Sequence, residues 1–362
     1  MAQRLLTVRK YPLRKTAKKV VVHRSYKLKL YGNKAKTDTA RYTQVRFNQY
    51  CNMFLGRVFF GEQKISTKGL GDLANKALYR SKNAIASLKA SSKATRNKMN
   101  VPFFKNSPCN AKLEQAKSGS FDYWVCIQNQ FGEPVRLPAK SHGIFNRALK
   151  DGWILSKLCE FKIINGNAYA VVFVQKEVTV TNRVRGVVGI DVGYKYSISD
   201  SNGYIGRKLS GVIKRSKEIQ AQRRRNGHKI SSKVKTTLKQ ILDIEAKRLI
   251  GRSDNMAFVV EDPKRLANLS SGKLHGWATS YFANRLGILC KENGIPLISV
   301  SPYQTSITCS KCQTIDKESR VSRDKFKCSA CGFTLHADIN ASRNIALKGS
   351  QSIRMGKFCL SD

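Results

Sequence analysis

Apolar and polar positions alternate along the first half of the chain with the two-residue period of half-buried β-strands. The runs that predict strands are residues 19–31, 122–130, 135–140, 158–164 and 168–180. Between the last two runs stands Asn165-Gly166-Asn167, and Asn and Gly tolerate the positive φ angles of a tight hairpin turn. The pattern therefore predicts a β domain over residues 1–183.

A helical insert interrupts this β domain at about residues 36–95. The segment "KTDT" at 36–39 predicts a helix cap, and the apolar residues behind it recur at the spacing of one helix face. These residues are Phe47, Tyr50, Cys51, Phe54, Leu55 and Val58. A second helical run, 66–90, carries lysine and arginine on its polar side. We assign the aromatic residues of the first run, including Tyr42, to the core of the insert.

From residue 184 onward, strand-like runs alternate with helical ones, which is typical of an α/β layer. Strands are predicted within 184–206, 255–263 and 295–302, and a helix within 217–250. The predicted buried stripe of that helix is Ile230, Val234, Leu238, Ile241, Leu242, Leu249 and Ile250. A further helix carries Trp277, Tyr281, Phe282, Leu286 and Leu289 and ends at Gly294. We interpret its aromatic residues as core and not as platforms on which bases stack.

The net charge of the chain limits the kinds of molecule that it can be expected to bind. The 362 residues include 67 Lys+Arg against 23 Asp+Glu, a formal net charge of +44, and a folded chain with this excess repels itself unless a polyanion neutralises it. With 41% hydrophobic residues the chain can bury real cores. Nucleic acid, an anionic membrane surface and an acidic protein are the candidates. No apolar run of about 18 residues and no export signal is present, so we expect a cytoplasmic protein that binds nucleic acid, with no membrane partner.

Two CxxC pairs form the most specific motif of the chain. Cys309 and Cys312 are followed, after fifteen intervening residues, by Cys328 and Cys331. Zinc takes four such ligands in a tetrahedron, and a site filled by four cysteines leaves no position open for water. The pattern predicts one structural zinc. The remaining six cysteines are scattered, which suits a reducing compartment better than a disulfide framework.

Three acids stand where apolar runs end or begin. Asp191 interrupts "VVGIDVG", Glu261 ends "AFVVE", and Asp338 lies in "HADIN" before a helical run. A buried acid is costly unless it is paired or binds a cation. Three carboxylates at one sheet edge could hold two Mg²⁺ ions, while each acid taken alone could instead pair with one of the many lysines.

These motifs carry a resemblance. In order along the chain, the segments Gly189–Gly193, Val259–Asp262, Ser306–Cys312, Phe326–Gly332 and His336–Asn340 resemble the split RuvC-like nuclease domain of TnpB, the transposon-encoded RNA-guided nucleases related to compact type V CRISPR effectors. The resemblance implies an α/β RNase H-like (RuvC) nuclease domain with a zinc-ribbon insertion. Its parts would be residues 184–305 and 335–362, with the ribbon at 306–334. The N-terminal part is similar, more weakly, to the family's β wedge domain with a helical recognition insert.

What the resemblance implies for function is an RNA-guided DNA endonuclease that binds a guide RNA and its target DNA and cleaves with Mg²⁺ at Asp191, Glu261 and Asp338. The setting would be a prokaryotic or phage-infected cytoplasm, at the nucleoid. Two alternatives stay open: an RNA-guided repressor that does not cut, and a transposase that acts without a guide. The intact acids disfavour the first, and the lack of a recognisable helix-turn-helix disfavours the second. Monomer and dimer are both open.

Other residues have lesser roles in this interpretation. Nucleic-acid contacts are predicted at Arg223, Arg224, Arg225, Lys229 and Lys233, against the alternative of a solvated basic face. His336 is interpreted as structural. Asp262 is interpreted as a decoy for the metal ligand, because its side chain is expected on the opposite face of the strand from that of its neighbour Glu261. Many relatives have glycine where this chain has Gln313, which predicts a slightly altered turn in the first cysteine knuckle.

Overall fold

The computed structural model describes residues 11–12, 18–92, 109–128, 134–262 and 273–354, apart from residues 61, 63, 69, 118, 182, 194, 210, 213, 216–217, 219–231 and 254 within these ranges. The chain divides into two units, a β-sheet unit of residues 21–176 and an α/β unit of residues 1–20 and 177–362. Within the described ranges, no helix combines the length and the apolar character that a membrane span requires.

The strands, in chain order, are β1 (Tyr11–Pro12), β2 (Lys18–Lys29), β3 (Cys109–Gln115), β4 (Tyr123–Ile127), β5 (Val135–Ala139), β6 (Ile154–Ile164), β7 (Asn167–Val180), β8 (Arg183–Val184), β9 (Gly186–Asp191), β10 (Ser199–Asp200), β11 (Met256–Glu261), β12 (Leu297–Val300), β13 (Lys325–Lys327) and β14 (Thr334–His336). The helices are α1 (Lys34–Phe59), α2 (Gly71–Ser92), α3 (Gly143–Lys150), α4 (Ser232–Ile250), α5 (Lys273–Glu292) and α6 (Ala337–Arg354).

The β-sheet unit is built on a six-stranded sheet in the order β2-β7-β6-β3-β4-β5. The predicted hairpin joins β6 to β7: Asn165 and Gly166 have φ angles of 48° and 79°, and Ile164 pairs with Asn167. The strands predicted at 19–31, 135–140 and 168–180 are confirmed with small shifts at their ends. Two elements were not predicted, strand β3 and helix α3.

Helices α1 and α2 lie between β2 and β3 in sequence, which confirms a helical insert in the β unit. The predicted cap at "KTDT" is wrong by one turn. Asn33 is the cap, because its carboxamide oxygen accepts a hydrogen bond from the Lys36 backbone N–H at 2.9 Å. Thr37 and Thr39 instead lie inside the helix, where their hydroxyls donate to carbonyls four residues earlier.

The core prediction for α1 is correct for three of its aromatic residues and wrong for a fourth. Phe47, Tyr50 and Phe54 are buried, but Tyr42 is 49% exposed. Tyr42 lies five residues before Phe47, a spacing that places the two on different sides of an α-helix. Tyr42 was assigned to the core only because it is aromatic, and its position on the helix places it at the surface.

The α/β unit contains a four-stranded sheet in the order β10-β9-β11-β12, in which β9, β11 and β12 are parallel and β10 is antiparallel. One face packs against α4 and α5 through a cluster that includes Ile190, Phe258 and Phe282. The other face packs against α6 through a second cluster that includes Val259 and Ile345. Helices thus cover both faces, as a parallel sheet requires, and the predicted α/β layer is confirmed.

Most of the predicted stripe on α4 is buried. Val234, Leu238, Leu242 and Leu249 are each at most 3% exposed, while Ile230 lies outside the described residues. Strands β13 and β14 form a separate two-stranded ribbon with Lys325 opposite His336. The ribbon leads directly into α6, which begins at the next residue, so it determines where the first turn of that helix lies.

Candidate active site

Two of the three predicted acids lie side by side at the carboxyl ends of neighbouring parallel strands. Val260 of β11 pairs with Ile190 of β9, so the next residues along the two strands are Glu261 and Asp191. In both strands the buried apolar run stops at the acid, which is only partly buried. This is the edge of an open α/β sheet at which ligands bind.

Helix α6 brings the third acid to the same edge. It lies so close to β9 that a Cβ atom on Gly189 would approach the Ser342 carbonyl oxygen to 2.1 Å. Only glycine allows that contact between backbones. Ser199 of β10 fastens the first turn, because its hydroxyl donates to the Asp338 carbonyl oxygen at 2.9 Å. The Asp338 side chain is consequently held beside the strand that ends in Asp191.

The surroundings disfavour negative charge on Asp191 and Asp338. Burial raises the pKa of Asp191 well above its usual value, and the charges of Glu261 and Asp338 raise it further. Burial likewise raises the pKa of Asp338, although the neighbouring Arg320 guanidinium opposes the effect. Carboxylates placed this way are stabilised when a cation binds between them.

Carboxylate oxygens are the ligands that hard divalent cations such as Mg²⁺ prefer. Among the residues that the structure describes, the one group of His, Cys, Asp or Glu donors already close enough together to hold a metal ion is the cysteine cluster. The three acids do not form such a compact group.

Two residues that the sequence did not single out contact the acids. A guanidinium nitrogen of Arg320 lies 3.4 Å from Asp338 Oδ1. The Thr305 hydroxyl donates to Glu261 Oε1 at 2.6 Å. Both residues come from the region of the cysteine knuckles, far in sequence from Glu261. The sequence around each of them contains no pattern that predicts the contact. His336 accepts a hydrogen bond from the Asp338 backbone N–H through Nδ1, at 3.3 Å.

The four cysteines converge on one point. Their sulfurs all lie within 4.8 Å of one another, with 3.8 Å between those of Cys309 and Cys331 and 3.5 Å between those of Cys312 and Cys328. Zinc at about 2.3 Å from each sulfur places tetrahedral sulfurs about 3.8 Å apart. Hydrogen bonding with Thr314 lowers the pKa of Cys312 to about 6, which favours the thiolate that binds metal.

The predicted difference between the two knuckle turns is not observed. Gln313 and Gly332 both have a φ of 66°, each directly after the second cysteine of its pair. Their backbone N–H groups make matching bonds, to the carbonyls of Cys309 and Cys328 at 2.9 and 3.0 Å. Gln313 therefore adopts the left-handed conformation that glycine adopts readily, and the two knuckles have the same turn.

Most of the predicted nucleic-acid contacts lie outside the described residues, namely Arg223, Arg224, Arg225 and Lys229. Lys233 is described and is exposed in the first turn of α4. It lines a cavity of about 350 Å³ together with Arg215 and Thr237. The cavity wall therefore carries two exposed cations beside a hydroxyl.

The aromatic residues of α5 pack against the core as predicted, and lysines cover them from outside. Phe282 is fully buried, and Trp277 stacks on Tyr281 with ring centres 5.5 Å apart. The ammonium groups of Lys235 and Lys239 lie 5.6 and 5.4 Å from the centres of these two rings. The outward face of α4 and α5 is thus cationic.

Comparison with known proteins adds independent information. The family model described as "Cas12f1-like, TNB domain" matches residues 280–345. The CRISPR-associated endodeoxyribonuclease Cas12f1 of Sulfoacidibacillus thermotolerans is 35% identical over 94 residues, which cover 26% of this chain and 22% of that protein. InsQ of Escherichia coli (strain K12), provisionally named an RNA-guided DNA endonuclease, is 28% identical over 176 residues, covering 43% and 42%. The matched regions span less than half the length of these relatives.

Solved structures share the fold. The cryo-EM structure of a Cas12f1-sgRNA-target DNA complex superposes with a TM-score of 0.59 at 15% identity, over 90% of this chain and 99% of that one. The mini-RNA-guided endonuclease CRISPR-Cas_phi3 gives 0.51 at 10% identity, over 91% and 92%. These likenesses show the fold alone. Together with the matches in sequence, they confirm the resemblance to TnpB-type nucleases and compact type V effectors.

Proposed function

We propose that this protein is an RNA-guided DNA endonuclease in which Asp191, Glu261 and Asp338 hold two Mg²⁺ ions. The observation that carries the proposal is the meeting of these acids at one sheet edge, two on strand ends and one on α6. The names of the relatives and the titles of the structures that share the fold support the same activity.

The bound metals would activate a water molecule and stabilise the leaving oxygen of a DNA phosphodiester. The protein's part is to hold the ligands rigidly. Asp191 and Glu261 project from strands whose register is fixed by the parallel ladder, and Asp338 from a helix whose backbone touches β9. Arg320, beside Asp338, places a fixed positive charge where a phosphate would arrive.

Zinc is proposed as the metal of the four cysteines, with a structural role. Cys309 and Cys328 pack with Phe326 and Ala337 in a small core of their own, and Ala337 is the first residue of α6. A zinc there would fix the ribbon that delivers Asp338. Elemental analysis should find one zinc per chain, and a folded, reduced sample without zinc would exclude this assignment.

Guide RNA and target DNA are the proposed partners. The net charge of +44 suits a heteroduplex held through its backbone, while base pairing supplies the sequence. Residues 184–305 and 335–362 would form the nuclease and 306–334 the ribbon. The wedge and helical insert, within 1–183, would read a short DNA motif next to the target. Arg223, Arg224, Arg225, Lys229 and Lys233 would contact phosphates, in a prokaryotic cytoplasm.

The test is guided cleavage by the purified full chain. RNA that copurifies with the protein is sequenced, its guide segment is reprogrammed, and matched and mismatched DNA are offered with Mg²⁺ and with no divalent metal beyond zinc. Cleavage of matched DNA only, and only with Mg²⁺, is the expected result. Matched binding without cutting would favour the repressor alternative. Cutting in the absence of any RNA would contradict RNA guidance, and joining of the cut ends to a second DNA would then identify the transposase alternative.

A further inference from the structure

A short loop links the sheet to the zinc site. Residues 301–308 run from the end of β12 to Cys309, the first cysteine of the cluster. The loop passes α6, and three polar residues of that helix, spaced four apart, bond to its backbone. The first is Asn340, whose Nδ2 donates to the Thr308 carbonyl at 2.8 Å and whose Oδ1 accepts from the Ser310 N–H at 2.9 Å.

The second and third residues continue the row. Asn344 Nδ2 donates to the carbonyls of Thr305 and Thr308 at 2.9 and 2.6 Å. Lys348 Nζ donates to the Ser301 carbonyl at 3.1 Å and also to that of Tyr303. Asn344 is 3% exposed, and burial lowers the pKa of Lys348. Burying these groups is costly, so the position of the loop is strongly specified.

What the loop presents to the acids is the Thr305 side chain. Thr305 is 4% exposed, and its hydroxyl donates to Glu261 Oε1 at 2.6 Å, a shorter distance than the 3.0 Å to its other acceptor, the Pro302 carbonyl oxygen. Glutamate has three rotatable side-chain bonds, and ordering such a side chain costs conformational entropy. A hydrogen bond from a fixed hydroxyl lessens that cost at the moment of metal binding and orients the carboxylate.

We propose that Thr305 is a positioning residue for Glu261, and that α6 places it through Asn344 and Lys348. Helix α6 would thereby determine the positions of two of the three acids, Asp338 directly and Glu261 through the 301–308 loop. The inference rests on the proposed function, because it takes Glu261 to be a ligand of the catalytic metal. It goes further by assigning a role to residues that touch neither metal nor substrate.

The test is calorimetric titration of the zinc-loaded full chain with Mn²⁺, without nucleic acid. Thr305→Val should weaken Mn²⁺ binding by about 10-fold or more, in the range typical of outer-shell partners, and Thr305→Ser should restore it to within about twofold of the wild type. Thr308→Val is the matched control. The Thr308 hydroxyl donates to the Gln304 carbonyl inside the same loop and not to an acid, so this variant should bind Mn²⁺ with the affinity of the wild type.

A double-mutant cycle tests the connection to α6. Asn344→Leu removes the donor to the Thr305 carbonyl without changing the charge near Glu261. It should weaken Mn²⁺ binding in the wild-type background and add little in the Thr305→Val background, because both changes act through the same hydroxyl. Should Thr305→Val lose its zinc or its cooperative unfolding, Thr305→Ser and Asn344→Leu decide: the first should bind Mn²⁺ like the wild type and the second more weakly.

The outcomes separate the inference from its premise. Wild-type affinity in a folded Thr305→Val protein, with Asp191→Ala still abolishing Mn²⁺ binding, would overturn the role of Thr305 and leave the three-acid site intact. Mn²⁺ binding that is absent in the wild type, or unaffected by Asp191→Ala, would overturn the three-acid site and the inference with it.

Discussion

Asp191 ends a buried strand with a carboxyl group whose pKa is raised by burial and by two neighbouring acids. A carboxyl with a raised pKa in the folded state lowers stability as pH rises, because the folded protein must ionise it at greater cost than the unfolded chain does. The penalty is absent below the ordinary pKa of an aspartate and complete above the raised value. Residues kept for metal binding commonly carry such a cost.

Asp191→Asn removes this penalty and should raise the melting temperature of the zinc-loaded, Mg²⁺-free protein at neutral pH. The gain should shrink as pH falls toward about 4, where the wild-type carboxyl is protonated. Added Mg²⁺ should stabilise the wild type and not the variant. Thermal unfolding at several pH values measures all three effects. A variant that is less stable than the wild type at every pH would refute the electrostatic account.

The left-handed backbone conformation of Gln313 is energetically unfavourable. A non-glycine residue in that conformation costs about 1–2 kcal/mol, offset in part by the bond from Gln313 Nε2 to the Cys309 carbonyl at 3.1 Å. Gln313→Gly should therefore stabilise the ribbon by up to about 1 kcal/mol, and Gly332→Ala should destabilise it by a similar amount. Zinc retention against a competing chelator measures both, and a weaker hold on zinc by Gln313→Gly would contradict the prediction.

The sequence indicated the acids and the cysteines but not the side chains that contact the acids. An acid that interrupts an apolar run, or a CxxC spacing, is visible in the local pattern. The contacts that Arg320 and Thr305 make with the acids are not visible there. They depend on how the ribbon and the 301–308 loop fold back onto the sheet, with 44 residues separating Thr305 from Glu261.

Helix α6 is the element on which the site depends, and its position rests on Gly189. A Cβ atom there would also come within 2.4 Å of the Ala346 backbone nitrogen, so the helix would have to move away from β9. Glycine in a strand interior is otherwise unfavourable, and this close approach explains its presence.

Gly189→Ala should destabilise the protein by about 1–3 kcal/mol and displace Asp338, so cleavage should fall more than the loss of folded protein explains. Gly186→Ala, in the same strand, is the control. Its added Cβ would meet only the end of the Met256 side chain at 2.9 Å, and that flexible end can move. Unfolding and cleavage measured on both variants test the contact, and equal effects of the two substitutions would contradict it.

At the level of elements, the spacing of apolar residues and the Asn-Gly turn predicted the parallel core and the hairpin of the β-sheet unit. Strand β3 was missed although its run "CNAKLEQ" alternates, because the run holds only three apolar residues, and α3 was missed because its eight residues are too few for a clear period. The start of α1 was misplaced because Thr37 and Thr39 resemble caps, while the residue that caps is Asn33. Short or polar elements depend on tertiary contacts that a local pattern does not contain.

The whole molecule joins a large positive charge to a local group of acids. On the proposed function, its net charge of +44 would attract phosphate backbones, whereas Asp191, Glu261 and Asp338 would need a divalent metal before a phosphate could approach them. Binding and cutting would then depend on different residues, so substitutions should separate them.

Asp191→Ala tests this account most directly, with guided binding and Mg²⁺-dependent cleavage of matched DNA measured on the same preparation. Cleavage should fall by about three orders of magnitude, while binding stays within a few-fold of the wild type. Asp262→Ala is the control. Asp262 directly follows the last residue of β11, and its backbone N–H continues the pairing with β12 by donating to the Val300 carbonyl at 2.9 Å, so its side chain is expected to point away from that of Glu261. It should cut at close to the wild-type rate. Near wild-type cleavage by Asp191→Ala, with contaminating nuclease excluded, would contradict the assignment of the three acids.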